Sequence, residues 1–184
     1  MKLTVANIQP SLSRVKNSER APLQVGLVQA RWIPNPEEHK ENIASGVRKA
    51  AEAGAKIVFL QELTLSRYPA DAKPAGSPDE TAEDLETGET FKFATELAAK
   101  YDVIVHASLF EKARLADGRG YNTAILVSPS GTLIGKTRKL HIPVTAGYYE
   151  DKYFTAGPAA PEPYPVYPVT FPDTQISIGL PTCW

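Results

Sequence analysis

The chain has 184 residues, 42% of them hydrophobic, and sets 20 Lys plus Arg against 21 Asp plus Glu for a net charge of −1. That length suits one domain or one large part of a domain, and the apolar share is enough to bury a core. The near-neutral balance points to neither nucleic acid nor an anionic membrane as partner, and no apolar run approaches the roughly 18 residues of a membrane helix.

The opening "MKLTVANIQPSL" has too short an apolar stretch for a signal peptide. Residues 1–21 show no clear period and are expected to form an N-terminal extension, mobile or added, ahead of a folded unit over 22–184. "LQVGLVQA", bounded by Pro22 and Pro34, predicts a short strand. Next, Asn35 is placed as a helix N-cap, Pro36 suits the first helical position and Glu38 follows three residues after the cap. Ile43, Val47, Ala50 and Ala51 recur at helical spacing, and Gly54 marks the stop. "KIVFLQEL" is a nearly continuous apolar run, the pattern of a strand covered on both faces.

Residues 66–89 are polar, acidic and turn-prone, and read as a surface loop. A second helix is predicted in "FKFATELAAKY", with Phe91, Ala94, Ala98 and Tyr101 on one face. "VIVHASLF" reads as a strand, and "NTAILVSPSGTLIGKTRK" as two more joined by a turn at Pro129–Gly131. Residues 157–172 hold six prolines and are expected to run extended. Strand, helix, strand, helix, strand and hairpin predict a layered α/β fold.

Three side chains carry possible chemistry. Glu62 lies where a buried strand reaches its end, as a carboxylate that is either used or simply reaches solvent. Lys139 belongs to a basic cluster with Lys136 and Arg138, which taken alone reads as a solvated strand edge. Cys183 is the single cysteine, one residue from the last, and alone reads as a small buried hydrophobe. With one thiol there is no internal disulfide framework; a reducing compartment and a soluble, cytoplasmic protein are expected.

Taken together, the segments around these residues resemble the nitrilase or carbon–nitrogen hydrolase superfamily. "IVFLQEL" looks like the family segment carrying a catalytic glutamate, here Glu62; "GKTRKLHIP" that carrying its lysine, Lys139; and "IGLPTCW" the strand-to-turn segment carrying its cysteine, Cys183. "GYYEDKYFTAG" is similar to a further segment in which Glu150 matches an assisting glutamate, and "GRGYNTAILVSPSG" offers Asn122 as a structural hydrogen-bonder. The resemblance runs from about Leu23 to Trp184. It implies a four-layer αββα sandwich, here incomplete, because family members continue beyond the cysteine. It also implies a thiol mechanism needing no metal or other cofactor, with the Trp184 N–H helping Lys139 to stabilise an oxyanion.

The branch it most resembles hydrolyses N-carbamoylputrescine, so the expected substrate is a linear N-carbamoyl amine, cleaved to ammonia and CO2 in polyamine metabolism. An aliphatic amide or nitrile stays open. The acidic loop Asp79–Glu89 is either an attractor for an amine or a solvated charged loop. The family also implies a homo-oligomer. Pro181 departs from the family pattern and removes a backbone donor near the turn. Two expectations follow: the chain is the nucleophile-bearing part of an amidohydrolase, poorly active alone, or it is a non-catalytic remnant acting through self- or partner association.

Overall fold

Asn35 starts the first helix as its side chain predicts. In the computed structural model, which describes residues 1–6 and 22–183, the Asn35 side-chain oxygen accepts from the Glu38 amide at 3.0 Å, and α1 runs Pro36–Glu52. Gly54, at φ +98°, ends it in a conformation that costs glycine little. Ile43, Val47 and Ala50 are buried along one stripe, together with His39 and Gly46. The second helix, α2 (Glu89–Tyr101), buries Thr90, Phe93, Ala94, Leu97 and Ala98. Its inner face is therefore rotated from the one expected, and Phe91 and Tyr101 lie at its margins, partly buried. Phe93 and Leu97, not the flanking aromatics, fill the space over the sheet.

The strands are β1 (Val25–Leu27), β2 (Ile57–Phe59), β3 (Ile104–Glu111), β4 (Tyr121–Val127) and β5 (Leu133–Arg138). They form one sheet in sequence order. β1, β2 and β3 are parallel, joined through α1 and α2, while β4 and β5 return antiparallel. Alternation along these strands separates two cores. Val58, Val105, Ala107, Leu109, Ile125 and Val127 face the helices. Ile57, Ile104, Ala124 and Leu126 face the other way.

That second face is covered by a hairpin of β6 (Val166–Phe171) and β7 (Thr174–Gly179), which presents Val169, Ile178 and the following Leu180. The proline-rich stretch, expected to run extended throughout, bends at residues 160–161 and 163–164 and is extended only from Val166, where it enters the paired strand β6. The result is a helix layer, a sheet and the beginning of a second β layer, three of the four layers of the expected sandwich. Among the described residues β1 forms one edge of the sheet and β5 the other, with Val25 and Leu27 of β1 exposed on the hairpin's side.

The loop expected at 66–89 contains two short 3₁₀ turns, Pro69–Asp71 and Pro78–Thr81. Most of its acidic residues have structural partners. Glu83 accepts from both the amide and the hydroxyl of Thr90, capping α2, and its backbone bridges to β3. Asp84 pairs with Arg114, Glu89 with Lys40, and Ser77 donates to Asp79. Of the expected N-terminal extension, residues 7–21 lie outside the described residues; at its start, Lys49 donates to the Met1 carbonyl. No helix among the described residues is long and apolar enough to cross a membrane.

Candidate active site

Glu62 does not sit on β2 but three residues beyond it, in a turn where Leu63 holds φ +49°. This turn is pinned from two sides. The Thr64 amide donates to the Ser108 carbonyl at 2.8 Å, and the Ser108 amide donates to the Thr64 hydroxyl at 3.0 Å, tying the turn to β3. From α1, the buried His39 places Nε2 3.0 Å from the Thr64 carbonyl. A non-glycine residue at positive φ persists only where its surroundings over-determine it, and these bonds do so.

Lys139 follows β5 directly. Its backbone is held on both sides: its amide donates to the Asn122 carbonyl at 2.8 Å, and its carbonyl accepts from the Gly157 amide at 2.9 Å. The side chain is 1% exposed and lies between two carboxylates, with Nζ 2.7 Å from Glu150 Oε2 and 3.7 Å from Glu62 Oε1. Asn122, on β4, donates from Nδ2 to Glu62 Oε1 at 2.6 Å, while the Ser108 hydroxyl donates to its Oδ1 at 3.4 Å. Glu150 begins the short helix α3 (Glu150–Tyr153) and is buried. Its other oxygen, Oε1, accepts from the Tyr68 hydroxyl at 2.6 Å.

Four of the sequence-selected residues, Glu62, Asn122, Lys139 and Glu150, therefore share one buried network. Its two carboxylates and one ammonium carry a net negative charge. Burial first, then the hydrogen bond to Glu150 and the charges of Glu150, Glu62 and Cys183, pushes the Tyr68 hydroxyl well above the ordinary tyrosine range. Tyr68 thus remains a donor at any working pH.

Cys183 is exposed and sits at φ +61°, a left-handed conformation rare for a side chain with a Cβ. It lies within electrostatic range of the Tyr68 hydroxyl, on the network's side of the molecule. It is not the buried small hydrophobe that a lone cysteine suggests. Trp184 lies outside the described residues. Beside Lys139 a cavity of about 110 Å³ is walled by residues 137–141, Pro163, Tyr164, Pro181 and Thr182. His141 is exposed there, with Nε2 3.4 Å from the Tyr164 hydroxyl.

The basic cluster divides by environment. Lys136 is exposed, Arg138 grips Glu111 through two nitrogens and stacks 4.2 Å over the Tyr121 ring, and Lys139 is buried. Among the described residues no group of three His, Cys, Asp or Glu side chains is placed to hold a metal ion. Sequence reasoning missed Tyr68, Thr64, Ser108 and His39. Tyr68 alone had a local cue, a bulky phenol in a loop six residues after Glu62, and that cue does not reveal a partner at position 150.

A profile of the carbon-nitrogen hydrolase family matches residues 24–184. A citrullinase from Francisella tularensis is 31% identical over 166 residues, covering 89% of this chain and 54% of the relative. An N-carbamoylputrescine amidase from Oryza sativa is 28% identical over 162 residues, covering 88% of this chain and 50% of the relative. Among solved structures, a carbon-nitrogen hydrolase from Helicobacter pylori superposes with a TM-score of 0.66 at 30% identity, over 74% of this chain and 46% of that one. The chain spans about half the length of the curated relatives it matches. The match across nearly all of the folded region places the chain in the carbon-nitrogen hydrolase family, within the nitrilase superfamily.

Proposed function

We propose that Cys183, Glu62 and Lys139 form the reacting set of a thiol amidohydrolase acting on a linear N-carbamoyl amine. The observation that carries this reading is the burial of the Lys139 ammonium between two carboxylates, of which Glu150 is closed in while Glu62 keeps 31% of its side chain exposed. A structural ion pair has no need of the second carboxylate, and burying the Lys139–Glu150 pair is costly unless the arrangement is used.

In this reading Glu62 takes the thiol proton as Cys183 Sγ attacks the carbamoyl carbon. The carbonyl oxygen gains the electron pair and is stabilised by the Lys139 ammonium. Collapse of this intermediate breaks the bond to the terminal nitrogen, which leaves as ammonia with the proton returned from Glu62. Glu62 then deprotonates water, which attacks the S-acyl carbon; Sγ departs as thiol, and the released carbamate loses CO2 to give the free amine. One water is consumed overall. Loss of an oxyanion donor costs roughly 3–4 kcal/mol of barrier lowering, so Lys139 carries a large share of the rate.

The ureido group supports the substrate class. Citrulline and N-carbamoylputrescine, after which the two relatives are named, both end in it on an unbranched chain. The acidic loop adds no support for an amine attractor, because Asp79, Glu83, Asp84 and Glu89 already have partners within the fold.

The test is ammonia release from citrulline, N-carbamoylputrescine and a simple aliphatic amide. It is run on the 184-residue chain and on the longest natural form that carries it. Ureido turnover that vanishes in Cys183→Ala is expected in whichever form is active. Turnover retained in Cys183→Ala would overturn the thiol mechanism, and exclusive turnover of the plain amide would overturn the substrate class.

A further inference from the structure

The two carboxylates around Lys139 are held differently. Glu150 is 4% exposed and both of its oxygens are occupied, Oε2 by the Lys139 ammonium and Oε1 by the Tyr68 hydroxyl. Glu62 has the same ammonium a full ångström farther away and one amide donor from Asn122. When two carboxylates share a cation, the one accepting more and shorter hydrogen bonds in its ionised form binds a proton less readily.

Building on the proposed function, we propose that Tyr68 is a positioning residue: by donating to Glu150 it locks that carboxylate on Lys139, which holds the ammonium back from Glu62 and leaves Glu62 to take the proton of Cys183. The connection is built into the backbone as well. The Tyr149 amide donates to the Ala70 carbonyl at 2.7 Å, so the segment bearing Tyr68 and the start of α3 are tied together one residue from Glu150. The raised proton affinity of the Tyr68 hydroxyl keeps it a donor throughout.

Other charged groups lie around this pair. Lys139 approaches Glu150 from the end of β5 and Glu62 lies beyond that lysine, while Cys183, exposed on the C-terminal segment, acts on Tyr68, and Lys73 sits 5.5 Å over the ring of Tyr149. On α3, Asp151 and Lys152 pair with each other; on the facing 3₁₀ turn, Asp71 pairs with Arg67.

Without the Tyr68 hydroxyl, Glu150 loses the donor that fixes its Oε1, its hold on Lys139 loosens, and the ammonium is free to move toward Glu62, which becomes a poorer base for the thiol. The rate at which iodoacetamide alkylates Cys183 reads this directly and needs no turnover. It is followed from about pH 5 to 9 in the parent chain, Tyr68→Phe, Glu62→Gln, Glu150→Gln and the Tyr68→Phe/Glu150→Gln double variant, with circular dichroism to confirm folding.

Tyr68→Phe is expected to slow the alkylation roughly tenfold on the acid side of the profile. In the Glu150→Gln background the same change is expected to add nothing, because Tyr68 acts through Glu150. A Tyr68 that merely packs, as its ring does 6.4 Å from that of Tyr148, would leave the profile unmoved when Phe replaces it. A parent-like Tyr68→Phe profile beside a Glu62→Gln profile that has lost its acid limb overturns the role of Tyr68 alone. An unaltered Glu62→Gln profile overturns the pairing of Glu62 with Cys183 and this proposal with it.

Discussion

Lys139 shows how far one residue's meaning depends on its surroundings. Within the run from Lys136 to Lys139 three cations adopt three states, and only the third is enclosed by carboxylates. Removing its charge in Lys139→Met leaves Glu150 buried with an uncompensated negative charge. The expected cost is about 3–5 kcal/mol of folding stability, read as a lowered urea midpoint at an unchanged slope. Lys139→Arg is not expected to rescue it, since the guanidinium fork cannot fit a site made for a compact ammonium. The residues with functional candidacy were legible because each lies in a recognisable segment of its own. Tyr68 was not, because its partner lies 82 residues away in the chain. His39 was hidden for a related reason, its bond to the Thr64 carbonyl being invisible to any local pattern.

Elements whose signals are local came through clearly. The Asn35 cap and the Gly54 stop bound α1 where the sequence places them, since both depend on neighbours within four residues. β6 was obscured instead, because prolines suppress the strand signal and Pro168 is tolerated there on an edge strand. β2 is shorter than its apolar run suggests: the chain leaves the sheet after Phe59 to form the turn that carries Glu62. The link between elements most exposed to test is the seam between Lys139 and Gly157. A Cβ on Gly157 would come within 2.7 Å of the Arg138 carbonyl oxygen, a backbone atom that cannot swing aside. Gly157→Ala is therefore expected to displace the backbone that carries Lys139, destabilising the chain by about 1–3 kcal/mol and blunting Cys183 reactivity. Thermal unfolding and thiol alkylation on one sample check both.

At the scale of the whole molecule, acid should act through two groups besides the candidate site. Burial holds His106 below the ordinary histidine value of 6.5, so the unfolded chain binds its proton first. For Glu111, burial raises proton affinity, but the hydrogen bonds from Arg138 and Thr123 outweigh it and hold the carboxyl below its ordinary 4.5. Both depressions have the same sign: their stabilisation is present above the unfolded values and is lost as pH falls through the folded ones. The melting temperature should decline as pH drops below about 6.5 and further below about 4.5, and His106→Phe should flatten only the upper part. The layered α/β plan was readable in advance because alternation of helices and strands is a property of the whole chain. The covering of the sheet was not, because it depends on what packs over each face. Among the described residues, β1 ends one side of the sheet with a rim of amides and carbonyls, and Leu27 is 79% exposed beside Val25. Such a rim is adhesive wherever it is left uncovered, so it would invite copies of the chain to zip together as concentration rises, and crowding, more than heat, would be the first hazard there.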